Sequence, residues 1–401
     1  MKYKVLSSSD LYNLDYKEIT SEKPFYFLFP IDTSKILKFQ NWPPINEIFP
    51  TNISGIVTAR DKLSIDFDKS ELLQKISIFH NMSLSDELVK NTFQLSENYA
   101  WKIETQRKEF SKTTSFDKFI KKILYRPFDM RNIFYHTNIV FRMRYDVMRN
   151  LINNKNISIC FVRQFSGEPP YSHILVSEHM VDNRTFFSSK GIIQQAPLYI
   201  YPDEKNPGLF SQELSVNIAE NVINILKNSY KSSIEPEKFL AYVYGICYSN
   251  IYRIKFLEFL KYDYPRIPFT SNKEIFNVIS SYGKRLIDLH LMKSLEINLT
   301  TIKYQGQGDD HTIISPNYHE TEKRVFINPT HYFEGVEPEV WEYQIGGYQV
   351  MHKYLKDRKG RKMDDPRHYI HIATALAKTI EIQEEIDEIY PEVEKDVIDF
   401  S

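Results

Sequence analysis

The side chains in this 401-residue chain that are best placed to do chemistry are cations set among aromatics, and the chemistry they suit is gripping a polyanion. Arg163-Gln164 closes an apolar run and suits base reading, because arginine's fork fits guanine O6 and N7 while glutamine pairs with adenine N6 and N7. Arg142, Arg144 and Arg149 alternate in part with Phe141, Met143, Tyr145 and Met148. On a strand, Arg142 and Arg144 would share one face, turned to a phosphate track; ion pairing with Asp129 or Asp146 is the competing role. Lys353, Lys356, Arg358, Lys359 and Arg361 form a third group, in which lysines act on phosphates as point charges and Gly360 frees the backbone for close approach. Arg126 and Arg131 sit near Asp129 in an aromatic setting and are expected to be structural ion pairs.

Other chemistries find little support. Asp66 and Asp68 have strand spacing and Asp309-Asp310-His311 offers hard-cation ligands, but no lysine joins paired carboxylates in a nuclease pattern. Turn aspartates are common without metals, so no metal site is expected. A G-x-S-x-G elbow is absent, and eleven scattered histidines nominate no base. Gly306-Gln307-Gly308 lacks the strand-to-helix setting of a nucleotide loop and is read as a polar turn, and the sequence holds no G-x-x-x-x-G-K-[ST] loop. Cys160 and Cys247, the only cysteines, have neither zinc spacing nor a disulfide framework, which suits a reducing cytoplasm. No apolar run approaches the roughly 18 residues of a membrane span, and the start lacks a signal-peptide core. A cytoplasmic protein without a membrane partner is expected.

The net charge of −1 conceals an uneven distribution. Residues 381–401 hold nine acidic residues and one lysine, a balance of −8, which leaves +7 on residues 1–380. Lys121–Arg149 has seven basic and two acidic residues, and Met351–His371 seven and three, the footprint of a polyanion partner. The acidic tail is expected to dock or to shield the chain itself, with Ile386, Ile389, Val393 and Val397 as a helical stripe packing on this body or on a partner.

The elements that must position these residues imply an α+β fold: a mixed, strand-rich recognition lobe packed with a helical lobe, and a helical C-terminus. Four regions are expected: 1–120 mixed, 121–210 strand-rich and DNA-reading, 211–300 helical, and 301–401 with a hairpin, the basic block and the acidic helix. Strands are read at Phe25–Phe29, Ser54–Asp61, Ile157–Val162 and His173–Val176, the last two flanking a polar loop from Arg163 to Tyr171. Helices are read within 69–95, starting again at Ser85-Asp86-Glu87, and over 215–227, 236–262, 273–294 and 366–390. Thr312–Ile314 and Val325–Ile327 read as a hairpin.

Four ordered segments carry a family resemblance. Residues 236–270, PEKFLAYVYGICYSNIYRIKFLEFLKYDYPRIPFT, combine an aromatic helical pattern with an abrupt proline stop at Pro265 and Pro268. Tyr125–Arg131 reads Y-R-P-F-D-M-R, Ala196–Pro202 reads A-P-L-Y-I-Y-P, and Trp341–Val350 followed by Lys353–Arg361 reads W-E-Y-Q-I-G-G-Y-Q-V and K-Y-L-K-D-R-K-G-R. Together, over roughly residues 40 to 390, they resemble the C-terminal target-recognition region of type ISP restriction-modification enzymes and related single-chain adenine-specific DNA methyltransferases. Cys247-Tyr248-Ser249 departs from that family's L-H-S, so no role of that histidine carries over.

The resemblance implies a sequence-specific double-stranded DNA recognition module of a phage-defence system, without a catalytic centre of its own. The family's upstream glycine-rich cofactor loop and N-P-P-Y motif are not found: Asn41-Trp42-Pro43-Pro44, Gly167–Tyr171 and Asn328–His331 each break that pattern. S-adenosylmethionine would then belong to a methyltransferase part or partner. Two alternatives stay open: an interaction scaffold of a defence complex, and a fragment of a longer adenine-specific DNA methyltransferase.

Overall fold

The structure is a computed structural model and describes residues 18, 19, 26, 33–165, 171–187, 190–202 and 213–400. Of the strand expected at 25–29 all but residue 26 lies outside them, as does the middle of the 163–171 loop. Eight strands build the first half: β1 (Ile53–Ser54), β2 (Ile65–Asp66), β3 (Ile120–Arg126), β4 (Asp129–Phe134), β5 (Ser158–Val162), β6 (Ile174–Ser177), β7 (Met180–Val181) and β8 (Ile193–Pro197). They form two four-stranded sheets, β1-β8-β5-β6 and β2-β4-β3-β7. All pairings are antiparallel except β3 with β7. β5 is buried along its whole length because β6 and β8 flank it, which explains its unbroken Ile-Cys-Phe-Val run.

The short segment 53–68 ties the sheets together. Gly55 N–H donates to Ile193 O at 3.0 Å, Val57 bridges Arg142, and Ile65-Asp66 pairs with Asn132-Ile133. Next to it, Lys69–His80 and Asp86–Phe93 are helical, and Ser85 caps the second by accepting from Leu88 N–H at 3.2 Å, as its sequence implies.

The helical lobe centres on Pro236–Tyr248 packed against Lys273–His290. A Cβ on Gly283 would sit 1.8 Å from Ala241 O, so glycine there sets how closely the two helices approach. The helix expected over 236–262 is broken. Ser249 is extended and its hydroxyl caps Tyr252 N–H at 3.1 Å, giving Asn250–Lys255 and Leu257–Leu260 as separate pieces. Ile254, which continued the apolar pattern, is 70% exposed.

Three further expectations are corrected. Residues 215–227 do not start as helix: Ser215–Val216 pairs with Tyr199–Ile200, and helix runs from Glu220 to Tyr230. Asn217 causes this, since its amide donates to Thr51 O and Pro197 O, both at 2.8 Å, and holds the chain extended. The hairpin pairs Asn317–His319 with Arg324–Phe326 inside a four-stranded sheet, while Thr312 bridges Lys362. The Asn328 amide imposes that turn by donating to Asp310 O and Thr312 O.

The C-terminal helix, Pro366–Val393, is longer than read, and its stripe packs on this body: Ile382, Ile386, Tyr390 and Val393 are fully buried. Glu394 receives Lys38 and Lys255, both at 2.6 Å. Three apolar clusters form the core, and the largest joins residues from Ile36 to Val393 across the strand-rich and helical regions.

Candidate nucleic-acid interface

Two of the four sequence segments, 125–131 and 353–361, meet at one carboxylate. β4 begins at Asp129, which is 1% exposed, and its two oxygens accept from different arginines: Oδ2 from Arg131 at 2.7 Å and Oδ1 from Arg358 at 2.7 Å. Although burial opposes it, Arg358 and Arg131 hold the Asp129 carboxyl below the usual range. Arg131 also reaches Asp357 at 3.3 Å. Planar guanidinium groups stack as well as pair: Arg131, Arg358 and Arg361 lie 4.1, 4.7 and 4.6 Å from the Phe67 ring. Arg126 and Arg131 each lie 3.9 Å from the Tyr125 ring, whose hydroxyl donates to Asp61 at 2.7 Å. Arg126 pairs with Asp182 at 3.0 Å. Burial, with Asp61 adding to it, pushes Asp182 up to about 6 although Arg126 pulls the other way. Arg126 and Arg131 are thus the structural ion pairs that their surroundings implied.

Of the nine cations and one amide singled out from sequence, all but Arg144 divide into two kinds. Arg149 donates to Tyr201 O at 2.7 Å and Pro202 O at 3.1 Å, Lys353 pairs with Asp357 at 2.5 Å, Arg358 is held by Asp129, and Arg361 pairs with Asp68 at 2.5 Å. Gln164 donates to Lys190 O at 3.1 Å. By contrast, Arg142, Arg163, Lys356 and Lys359 are exposed, and among the described residues their side chains have no hydrogen-bond or ion-pair partner. The strand expected to carry Arg142 and Arg144 does not form. Arg142 makes an isolated bridge, and Arg144 turns left-handed at φ 56° to start the one-turn helix Tyr145–Met148, so the two do not share a strand face. Nor do the arginines of this stretch pair with Asp129 or Asp146.

Segment 53–68 passes each free group in turn: Gly55 beside the β8 end that neighbours Arg163, Val57 beside Arg142, and Phe67 under the block that displays Lys356 and Lys359. Sequence reading placed Asp129 with Arg131 but missed Phe67 and the reach of Arg358 to Asp129. The alternation of arginine and aspartate in both segments was the available signal.

The I-G-G-Y segment is explained by the same neighbourhood. Gly346 (φ 60°) and Gly347 (φ 75°) bend the chain against Phe186 and Phe187, and a Cβ on Gly346 would lie 2.0 Å from the Phe186 ring. Tyr348 then lies over Arg126 at 5.5 Å. At the departure noted above, Tyr248 lies in a buried network instead: its hydroxyl donates to Ile174 O at 3.2 Å, and Tyr244 bridges it to His290 Nδ1 at 2.6 Å. Burial, then Arg253, pushes His290 down to about 3, so it is neutral. Among the described residues no cluster of three metal-ligating side chains occurs, and no helix is long and apolar enough to cross a membrane.

The family model described as the Type ISP C-terminal specificity domain matches residues 47–387. No curated protein matches the chain. Among solved structures, a cryo-EM DrdV–DNA complex is similar with TM-score 0.70 and 17% identity, covering 98% of this chain and 41% of that one. The ATP-dependent Type ISP restriction-modification enzyme LlaBIII bound to DNA is similar with TM-score 0.67 and 20% identity, covering 84% of this chain and 23% of that one. A nuclease-deletion mutant of the Type ISP enzyme LlaGI, in complex with a DNA substrate mimic, gives TM-score 0.65 and 19% identity over 94% of this chain and 36% of that one. At such identities the likeness is one of fold, and this chain spans well under half the length of each.

Proposed function

The chain belongs to the family of Type ISP C-terminal specificity domains, and from that membership we propose that it recognises double-stranded DNA for a restriction-modification system. The observation that carries this reading is the sorting of cations. Arginines are locked to Asp129, Asp182 and Asp357, whereas Arg142, Arg163, Lys356 and Lys359 are exposed and, among the described residues, unpaired. A rigid base with free charge on it suits phosphate contacts that set position while a few side chains read bases. Lys356 and Lys359 take the phosphate role, and Arg163 the base-reading role. Arg149, Arg358 and Arg361 shape that surface. Adenine methylation, with its S-adenosylmethionine, would be carried by a methyltransferase part of the same protein or by a partner, in the cytoplasm.

Duplex binding by the purified chain, followed across salt concentration, tests the reading, because counterion release makes affinity fall steeply with salt and an apolar docking scaffold does not. A selection over random duplexes then tests the reader. Arg163→Ala is expected to lose about 1–3 kcal/mol on the preferred site and little elsewhere. An unchanged site preference would remove Arg163 from the role.

A further inference from the structure

A second positively charged region lies away from the Asp129 junction. The first residues of β3, Ile120–Lys122, line a cleft of about 530 Å³ that also takes in Lys155 and Lys293. It continues, through Lys155, Asn156, Glu178 and Lys293, into a second hollow of about 560 Å³ that Tyr199 and Tyr201 line. Along β3, Lys122 and the junction residue Arg126 are four positions apart, about 13 Å. The groove and the reading surface therefore sit toward opposite ends of one strand.

Two features mark the groove as a binding track. Lys122 and Lys155 are exposed, and among the described residues neither ammonium has a hydrogen-bond or ion-pair partner; Lys121 reaches only the Asn153 amide oxygen, at 3.5 Å. Glu178 is the one acid lining the first cleft and is taken by Lys293. Burial holds His179 below its usual range; of the charges around it Glu178 raises it, and Lys122 and Lys293 lower it. Tyr199 and Tyr201, from the A-P-L-Y-I-Y-P segment, are half-buried with their hydroxyls tied down: Tyr199 donates to Glu237 and Tyr201 to Lys155 O, each at 2.7 Å. Among the described residues neither ring stacks on another ring. Anchored at the hydroxyl, each ring stands preset with little ordering cost left for a stacking partner.

We infer that this groove binds single-stranded nucleic acid, with phosphates along Lys121, Lys122 and Lys155 and unpaired bases on Tyr199 and Tyr201. Lysines set beside aromatic rings that line a hollow are the chemistry of strand binding, whereas a duplex hides its base faces in the stack. The inference shares with the proposed function only a nucleic-acid partner.

The experiment measures fluorescence anisotropy of the full chain with a labelled 12-nucleotide DNA strand, its RNA counterpart and a duplex, at two salt concentrations. Lys122→Ala/Lys155→Ala should weaken strand binding about tenfold and flatten its salt slope by roughly 1.4, from about 0.7 for each phosphate no longer neutralised, with the duplex curve unchanged. Tyr199→Phe, which keeps the ring but loses its hydroxyl anchor, should weaken strand binding only slightly, while Tyr199→Leu should lose fivefold or more. The RNA arm decides which sugar the groove prefers, and binding of either strand supports the inference. Strand binding that is absent, that ignores both the lysine pair and Tyr199→Leu, or that falls only with Lys356→Ala/Lys359→Ala overturns it. Loss of duplex binding with strand binding intact would instead overturn the proposed function alone.

Discussion

The Asp129 junction and the lysine groove draw on the same basic stretch of sequence, yet one consumes its charge and the other displays it. At the junction, guanidinium groups are 12–14% exposed, forked onto a buried carboxylate and stacked on Phe67 and Tyr125. In the groove, Lys122 and Lys155 are exposed on strand and loop, and among the described residues neither has an ion-pair partner. The difference lies in chemistry as much as in position. A planar fork makes several directed bonds at once and tolerates burial, while an ammonium is strongly hydrated and stays in water unless it is paired. Counting basic residues in a window therefore measures a sum of scaffold and free charge, and only the free part faces a polyanion.

The largest effect that can break this contrast is expected at Asp129. Asp129→Asn leaves Arg131 and Arg358 buried without their counter-charge and should cost about 3–5 kcal/mol in urea denaturation. Lys122→Ala should cost nothing measurable in the same assay. A cost below about 1 kcal/mol at Asp129 would mean that Asp357 and the aromatic rings hold the junction without it.

A smaller effect concerns pH and the helical lobe. Burial holds His290 down to about 3 and His173 to about 4, so the unfolded chain takes up these protons first. Their folded pKa values lie below the unfolded ones. Stability should therefore be complete above about pH 6.5 and fall as pH drops, by roughly 1 kcal/mol for each histidine between pH 7.5 and 6. Asp182, raised to about 6, works in the opposite direction below that window. Denaturation curves at pH 7.5, 6.75 and 6 check the sign, and a flat profile would show that a protonated histidine is accommodated.

Much of this architecture was legible in the sequence, for identifiable reasons. The apolar run Ile157–Val162 and the Ser85 cap are local signals, and both elements formed where expected. Long-range side-chain bonds were not legible: Asn217 holds residues 215–217 extended through Thr51 and Pro197, and Ser249 splits a continuous apolar pattern with help from Asp387 at 2.6 Å. The stripe in the acidic tail was legible too: Ile386 and Val393 are buried on this body and Ile389 and Val397 pack against it. At the site, sequence could not say that Arg358 points to Asp129 while its neighbour Lys359 stays free, since the partner lies 229 residues away.

The most direct measurement of the central claim lies within that basic block. Lys356→Ala/Lys359→Ala should leave thermal stability unchanged, weaken binding to all duplexes alike, and reduce the slope of log affinity against log salt by about 1.8, near 0.9 for each phosphate no longer neutralised. An unchanged slope, or a slope change that comes with a fall in melting temperature, would contradict the division into a paired scaffold and a free DNA-facing charge.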